Sequence, residues 1–139
     1  MQVVKPNDIE DALRLDVGAI LTASGIDAVC VAPPVPDDLA ADTVCFTSTG
    51  GRGVSAVAYS HGVSVDCWAS TEADAIALAN AVCGIVGALP WFETANAYPY
   101  AECDMPYLNP DPYRPTLPRA TFNANVTMRG ESITGMFPE

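Results

Sequence analysis

Residues 119–129, RATFNANVTMR, alternate between apolar and polar side chains over their whole length. Side chains along a β-strand point to opposite faces in turn, so this period of two predicts a strand with one buried and one polar face. Such a strand needs a sheet that a second layer covers on one side. We expect the core-facing residues to be Ala120, Phe122, Ala124, Val126 and Met128, and the outward-facing ones to be Arg119, Thr121, Asn123, Asn125, Thr127 and Arg129.

The first helix of that second layer is predicted over residues 5–25. Asn7 is a favourable N-cap, and Glu10 follows it by three residues, as in a capping box. The buried face is predicted by apolar residues at helical spacing, which are Ile9, Leu13, Val17, Ile20 and Leu21. Gly25 is the expected end of the helix, because glycine adopts the left-handed conformation without strain.

A second helix is predicted over residues 70–90, beginning at Ser70 or Thr71 and ending at Pro90. It is apolar nearly all round, with a stripe of large residues and a stripe of small ones. The two stripes are Leu78, Val82, Ile85 and Leu89, and Ala73, Ala77, Ala81, Gly84 and Ala88. A helix that is apolar on every side is usually covered on every side. Either the sheet and the first helix together or a second subunit must therefore cover it.

Several shorter segments predict the remaining strands and turns. Apolar runs at residues 27–32 and 43–49 predict two strands, and the glycine-rich residues 50–53 predict a turn after the second. Residues 54–69 predict either two strands around a turn at His61 or one long bent strand.

The segment between the second helix and the last strand is rich in proline. Residues 91–104 contain a strand that Pro99 disturbs, and residues 105–118 form a long loop with five prolines. A long loop without structure of its own is commonly functional or bound to a partner. The whole order predicts an α+β domain, with a mostly antiparallel sheet and two helices packed on one face. We assign residues 1–130 to this single domain and residues 131–139 to a short C-terminal tail.

The charge balance limits the possible partners. The chain has 6 basic and 17 acidic residues and a net charge of −11. Binding of nucleic acid through its phosphates depends on Lys and Arg, so this balance excludes it, although DNA can pass along such a surface without adhering. Charged residues make up only 17% of the chain, below the roughly 25% of typical soluble domains, so a partner that covers part of the surface is one explanation.

The cysteines and the apolar segments suggest neither secretion nor a membrane span. Five cysteines lie far apart without a CxxC pair, which indicates small buried side chains in a reducing compartment. The N-terminal residues lack the basic and apolar regions of a signal peptide. The most apolar window, residues 75–89, is shorter than the ~20 residues that cross a bilayer.

No motif in the chain predicts catalysis, a cofactor or a metal site. His61 is the single histidine and could pair with a Ser or Cys, with Asp66 nearby, but the spacing favours an ordinary turn histidine. Asp37, Asp38 and Asp42 lack the spacing of a calcium loop. The sequence TGGRG lacks the Lys-Ser/Thr of a phosphate-binding loop and precedes a strand, not a helix.

Three stretches together resemble the tail terminator proteins, or tail-completion proteins, of long, non-contractile-tailed bacteriophages. VCFTSTGG is similar to that family's strand ending in Gly-Gly. VSVDCWASTEADAIALANAVCGIVGAL is similar to its strand, tryptophan, small capping residue and alanine-rich helix. PDPYRPTLPRATFNANVTMRG is similar to its proline-rich approach, arginine and final alternating strand. The resemblance extends over most of the chain, from the first helix to Gly130.

The resemblance implies a structural virion protein without enzyme activity or a cofactor. It implies a homo-hexameric ring on the head-proximal end of the tail tube, which ends tube polymerisation and provides the head–tail joining surface. The partners would be other copies of this chain, the tail-tube protein and the head-completion or connector protein, with DNA passing through the channel unbound. The protein would be assembled in the host cytoplasm and located at the head–tail junction of the virion, where its C-terminal tail would become ordered.

Two other functions remain open. One is another phage ring of similar fold, such as a neck adaptor or the tail-tube subunit, and a tube subunit is expected to carry a long hairpin for stacking. The other is a small cysteine- or serine-dependent enzyme, which would lose activity when His61 or one cysteine is replaced.

The predicted subunit or partner interface consists of exposed aromatic residues and arginines, the side chains that most often anchor protein contacts. These residues are Trp91, Phe92, Tyr107, Leu108, Tyr113 and Arg114, with Arg52 as a partner for a neighbour's carboxylate. The outer face of residues 119–129 contains no acid and includes Arg119 and Arg129. That face is the predicted seam, where a strand or surface of another copy would lie.

Overall fold

The computed structural model describes residues 3–39 and 41–133. They form two α-helices, eight strands and one short 3-10 helix. The strands are β1 (Val3–Lys5), β2 (Val29–Val31), β3 (Thr43–Gly53), β4 (Ala58–Trp68), β5 (Tyr100–Cys103), β6 (Tyr107–Leu108), β7 (Arg119–Arg129) and β8 (Glu131–Ile133). The helices are α1 (Ile9–Ala23) and α2 (Glu72–Gly87), and the 3-10 helix is Leu89–Trp91.

Six of the described strands form one sheet, in the order β2-β3-β4-β7-β5, with β6 also paired to β7. All of its pairings are antiparallel except the one between β2 and β3. Strands β1 and β8 form a separate antiparallel pair. The predicted α+β class with a mostly antiparallel sheet is therefore confirmed.

Both helices pack on the same face of this sheet, as predicted. Helix α1 lies over β2 and β3, helix α2 lies over β4, β7 and β5, and the two helices contact each other. The core between the layers includes Leu13 of α1, Val82 of α2, and Phe46 and Phe122 of the sheet, all fully buried. One continuous cluster of buried apolar residues joins the helices to the sheet.

Strand β7 has the predicted bounds and orientation. Its buried apolar residues are Ala120, Phe122, Ala124, Val126 and Met128, and the outward-facing Thr121 is also buried. Strand β4 pairs with one edge of β7, and strands β5 and β6 pair with the other edge. Both edges of β7 are therefore paired with strands of the same chain. Where those strands pair with β7, the predicted seam cannot form by addition of a strand from another copy.

Helix α1 begins one residue later than its predicted cap. Asp8, not Asn7, is the N-cap, and Asp8 Oδ1 accepts a hydrogen bond of 3.2 Å from the backbone N–H of Asp11. The Asn7 prediction is wrong because two good capping residues are adjacent, and only the second meets the free N–H groups of the first turn. Glu10 reaches β3, where its Oε2 accepts a hydrogen bond of 2.7 Å from the Ser48 N–H.

The end of α1 at Gly25 is confirmed. Gly25 has a φ of 78°, in the left-handed region. Its N–H donates to the Thr22 carbonyl at 3.1 Å, and the Ile26 N–H donates to the Leu21 carbonyl at 2.9 Å. These two bonds form a Schellman motif, which satisfies the last carbonyl groups of the helix.

Residues 50–53 are not a turn, contrary to the prediction. Strand β3 continues through them with a bulge between Ser48 and Gly50, where Gly50 adopts a φ of 104°. The turn follows at residues 54–57. His61 consequently lies inside β4 and not in a turn, and the alternative of one long strand is confirmed. The glycines serve a bulge within the ladder, which the same residue pattern cannot distinguish from a turn.

Helix α2 begins after Thr71, whose Oγ1 accepts a hydrogen bond of 3.1 Å from the Asp74 N–H. It ends at Gly87, and Pro90 lies in the 3-10 helix that follows. The stripe of small residues is not covered along its length. Its exposed members are Ala73, Ala77 and Gly84. The sheet and α1 therefore cover only one side of α2.

The first residues of the predicted C-terminal tail are part of a strand. Glu131–Ile133 form β8, which pairs with β1 so that Glu131 lies opposite Lys5 and Ile133 opposite Val3. The rest of the predicted tail, residues 134–139, lies outside the described residues.

Candidate functional site

The proline-rich residues 105–118 fold over the outer face of the sheet and cover Trp68 of β4. Trp68 lies on the sheet face that points away from the helices, yet it is only 2% exposed. Its Nε1 donates a hydrogen bond of 3.2 Å to Asp111 Oδ2, and Asp111 is itself buried. This segment therefore places the buried carboxylate of Asp111 against the buried ring of Trp68.

Two arginine side chains and a backbone N–H group surround the carboxylate of Asp111. The Arg114 Nη1 donates to Asp111 Oδ2 at 3.1 Å, and the Tyr113 backbone N–H donates to Oδ1 at 3.0 Å. The Arg119 Nη1 lies 4.0 Å from the same carboxylate. The guanidinium carbons of Arg114 and Arg119 each lie 5.9 Å from the centre of a Trp68 ring, within cation–π range.

These contacts keep the pKa of Asp111 below its ordinary value of 3.8. Burial raises that pKa, because it disfavours the charged form. Hydrogen bonds from the Tyr113 N–H, Arg114 and Trp68 lower it, as does the nearby charge of Arg119, and the lowering prevails. Asp111 is therefore a charged carboxylate at neutral pH and holds the segment by charge-assisted hydrogen bonds.

The first residues of β7 extend the same network. The Arg119 Nε donates to the Asn109 carbonyl at 2.8 Å, and Asn109 Nδ2 donates to Thr121 Oγ1 at 3.2 Å. Thr121 Oγ1 in turn donates to Asp66 Oδ1 at 2.6 Å. The outer face of β7 is thus covered by its own chain at this end.

Of the predicted contact residues in this region, some bind within the chain and one is exposed to solvent. Arg114 also donates to the Pro36 carbonyl at 3.0 Å, and the side chains of Arg114 and Arg119 are 20% and 18% exposed. Tyr113 is 89% exposed. The two arginines hold the segment in place, and Tyr113 is the side chain that it presents outwards.

Patch A is defined by Trp91 and Phe92, which follow the C-terminal end of α2. Trp91 is 82% exposed and Phe92 is also exposed. Phe92 lines a surface depression together with Val57 and the predicted contact residue Arg129, so this patch extends to the end of β7.

Patch B is defined by Tyr107, Leu108 and Tyr113, which lie near the N-terminal end of α2. All three are exposed, and Leu108 lines one depression with Glu72, the first residue of that helix. Helix α2 has 16 residues, and a helix of that length spans about 24 Å. The predicted aromatic anchors therefore form two patches at opposite ends of helix α2.

Between the two patches, the outer face of the sheet carries few charges. Asn123 and Asn125 are exposed on it. The predicted contact residue Arg52 is also exposed, and it lines an outer-face depression with Glu102 of β5. The open part of this face is thus mainly amide, hydroxyl and glycine surface.

The residues considered for catalysis are buried or partly buried. His61 is 7% exposed, and burial lowers the pKa of its ring. Burial raises the pKa of the Cys30 thiol to about 11 and is the largest cause that raises the pKa of the Cys103 thiol to about 12. Within the described residues, no group of three or more His, Cys, Asp and Glu side chains could hold a metal ion.

A second buried carboxylate was not predicted from the sequence. Asp16 accepts hydrogen bonds from the Ala95 N–H at 3.1 Å, from Asn96 Nδ2 at 3.0 Å and from the Tyr98 hydroxyl. Burial raises the pKa of Tyr98, as does its hydrogen bond to Asp16. The available signal was that Asp16 lies within the apolar stripe of α1. The hydrogen bonds of Asp16 hold in place the segment between patch A and β5.

Comparison with family models finds no match to this chain, and comparison with curated proteins finds none either. The resemblance therefore rests on the three quoted stretches and their order. Across residues 3–39 and 41–133, no helix is both long and apolar enough to cross a membrane.

Proposed function

We propose that this protein is a tail terminator, which forms a ring on the head-proximal end of a phage tail tube. The observation that carries the proposal is the pair of exposed patches, A and B, at opposite ends of helix α2. A terminator must contact the tube on one side and the head connector on the other. Large exposed aromatic residues are the side chains that anchor such contacts.

The surface between the patches suits the remaining parts of this function. The exposed small-residue face of α2 and the open edge of β3 are the surfaces at which we expect neighbouring copies to meet in a ring. Six copies would carry 6 × −11 = −66 charges. Such a ring would repel DNA phosphates, so DNA could pass through its channel without adhering.

Two double variants test the proposal in an infection with the corresponding phage. Trp91→Ala/Phe92→Ala removes patch A, and Tyr107→Ala/Tyr113→Ala removes patch B. Electron microscopy of the lysates should show two different defects: tubes of uncontrolled length for the tube-binding patch, and finished tails without heads for the connector-binding patch. Both variants should keep the thermal unfolding temperature of the parent, because the truncated side chains are exposed.

Val29→Ala is the matched control, because Val29 is an exposed apolar residue of β2 outside both patches. It should give normal virions. Normal virions from both patch variants, or the same defect from each, would contradict the assignment of the patches to opposite partners.

A tail-tube subunit is the second candidate, and the β3–β4 hairpin favours it. Each strand of this hairpin has 11 residues, and residues 48–57 at its tip are exposed. A tube subunit would use such a hairpin to stack rings. Cryo-electron microscopy of virions separates the two functions, because a terminator forms one ring between tube and connector, whereas a tube subunit repeats along the whole tail.

A further inference from the structure

A cleft lies along the open edge of β3. Strand β2 pairs with β3 only at Thr43–Cys45, and along that edge no described strand pairs with residues 46–53. Residues 6–10 line the cleft, and residues 59–61 of β4 also line it. Its volume is about 560 Å³, and we refer to it as the β3-edge cleft.

Two buried polar atoms in this cleft have no hydrogen-bond partner. They are Asn7 Oδ1 and His61 Nε2, and both residues line the cleft. Buried polar atoms in folded proteins are nearly always paired, so two orphans in one place indicate a missing ligand. Asn7 Oδ1 can only accept a hydrogen bond, and the ring of a neutral His61 can donate or accept. A main chain, which supplies both N–H and C=O groups, fits this pair.

The edge of β3 is open to another backbone. Residues 50, 51 and 53 are glycines, so Arg52 carries the one side chain of that part of the strand. The charged residues of the lining are Asp8, Glu10 and Arg52, so the two acids are partly balanced by the arginine. Asp8 already accepts from the Asp11 N–H, and Glu10 from the Ser48 N–H. An uncharged, extended segment is therefore the ligand class that the cleft suits, by addition of a strand to the sheet edge.

We infer that the β3-edge cleft binds residues 134–138 of a neighbouring copy of this chain. Residues 132–138, SITGMFP, carry no charge in a protein of net charge −11, so this segment can approach another copy without like-charge repulsion. Met136 and Phe137 supply apolar side chains for the cleft walls. The inference rests on the proposed ring, because it needs a second copy beside the first.

The register of β8 directs this segment away from the cleft of its own chain. Glu131 pairs with Lys5 and Ile133 with Val3, whereas the cleft begins at Pro6, beyond Lys5. Strand β8 therefore runs away from the cleft as it reaches Ile133. The six residues after it reach at most about 20 Å when extended, and a reversal would use much of that length. A neighbouring copy requires no reversal.

The test uses the full-length protein with a photo-reactive group in the segment. Phe137→benzoylphenylalanine is prepared in an unlabelled and a nitrogen-15-labelled form, and the two are mixed, irradiated, digested and analysed by mass spectrometry. We expect crosslinks from residue 137 to residues 48–53 or 59–61 that join an unlabelled to a labelled peptide. Crosslinks confined to one isotope, or crosslinks elsewhere, would overturn the inference.

A substitution in the cleft tests the orphan atom. Asn7→Leu removes the acceptor and should lower the yield of mixed-isotope crosslinks about fivefold, the factor expected for one lost hydrogen bond. The thermal unfolding temperature of Asn7→Leu should not fall, because the substitution replaces an unpaired buried polar group by an apolar one. Asn123→Leu, on the exposed outer face, is the matched control and should leave the yield unchanged. An unchanged yield in folded Asn7→Leu would contradict the inference, and if Asn7→Leu does not fold, the isotope experiment decides alone.

The two proposals fail in different experiments. Mixed-isotope crosslinks in the cleft, together with a protein that is absent from virions, would reject the terminator function and retain the contact between copies. A single ring in virions without such crosslinks would reject the cleft contact and retain the function.

Discussion

At the scale of single residues, Asp111 has the largest structural role outside the apolar core. It is the one acid in residues 105–118, and it brings Arg114, Arg119 and Trp68 into one network. That network converts a proline-rich segment into a fixed cover over the sheet. The position of Tyr113, and hence of patch B, depends on this carboxylate.

Replacing Asp111 by Asn should destabilise the fold strongly. The variant keeps the shape of the side chain but leaves Arg114 and Arg119 without their buried counter-charge, so the free energy of unfolding should fall by about 3 kcal/mol. Urea unfolding measures this change. Arg14→Gln is the control, because it breaks the exposed pair of Arg14 with Asp11 and should change that free energy by less than about 0.5 kcal/mol.

The pH dependence of the free energy of unfolding tests whether the charge of Asp111 is the cause of this destabilisation. Because the folded pKa of Asp111 is lower than 3.8, its carboxylate stabilises the fold fully above that pH and loses this effect as the pH falls through the folded pKa. The difference between the parent and Asp111→Asn should therefore be constant near neutral pH and shrink below pH 3.8. A difference that stays constant at acid pH would show that the carboxylate charge is not the cause.

At the scale of elements, the sequence predicts most where one period is long and unbroken. Strand β7 agrees with its prediction in bounds and in orientation, because eleven residues of strict alternation permit one strand register. The bulge in β3 and the position of His61 inside β4 could not be predicted. Gly-Gly followed by Arg-Gly suits a turn and a bulged strand equally, and only pairing with β4 decides between them.

Helix α2 shows what a single chain leaves uncovered. One side packs on the sheet, and the small-residue side is exposed at Ala73, Ala77 and Gly84. Exposed small residues on an apolar helix allow a close approach of another backbone. This observation leaves the second-subunit explanation open and removes the alternative in which the domain covers the helix by itself.

Ala77→Tyr tests whether another copy covers that side. The added ring would point outwards, so the free energy of unfolding should change by less than about 0.5 kcal/mol. Incorporation into virions, measured by immunoblot of purified particles, should fall if the helix lies in an interface. Thr22→Tyr, at an exposed position of α1, is the control and should leave incorporation normal. Equal incorporation of both variants would argue against an interface at α2.

At the scale of the whole molecule, like charge opposes assembly and uncharged contacts favour it. Each copy has a net charge of −11, whereas patches A and B and residues 132–138 carry none. Ring formation by purified protein should therefore increase when the salt concentration rises from about 0.01 M to about 0.5 M, because salt screens the repulsion between copies. Analytical ultracentrifugation measures this change. A decrease with salt would indicate that attractive charge pairs hold the copies together.

The predicted interface residues were chosen by residue type, and their roles differ in the structure. Tyr113 and Trp91 are exposed as an anchor must be, but Arg114 and Arg119 are engaged within the chain. Arginine suits an intermolecular carboxylate and an internal one equally well, and the sequence does not show that Asp111 lies within reach. Exposure, unlike residue type, is a property of the packed chain.

The sequence by itself determined the class of the fold, the two helices, the last strand and the acidic net charge. Periodicity and charge are local properties, and each of these features follows from residues that are near one another in the chain. The tertiary structure alone decided which arginines are engaged within the chain and that the aromatic residues form two patches at opposite ends of α2. It also placed Asn7 and His61 in one cleft, 54 residues apart in the chain. These features depend on contacts between distant residues, which only the packing of helices on the sheet creates.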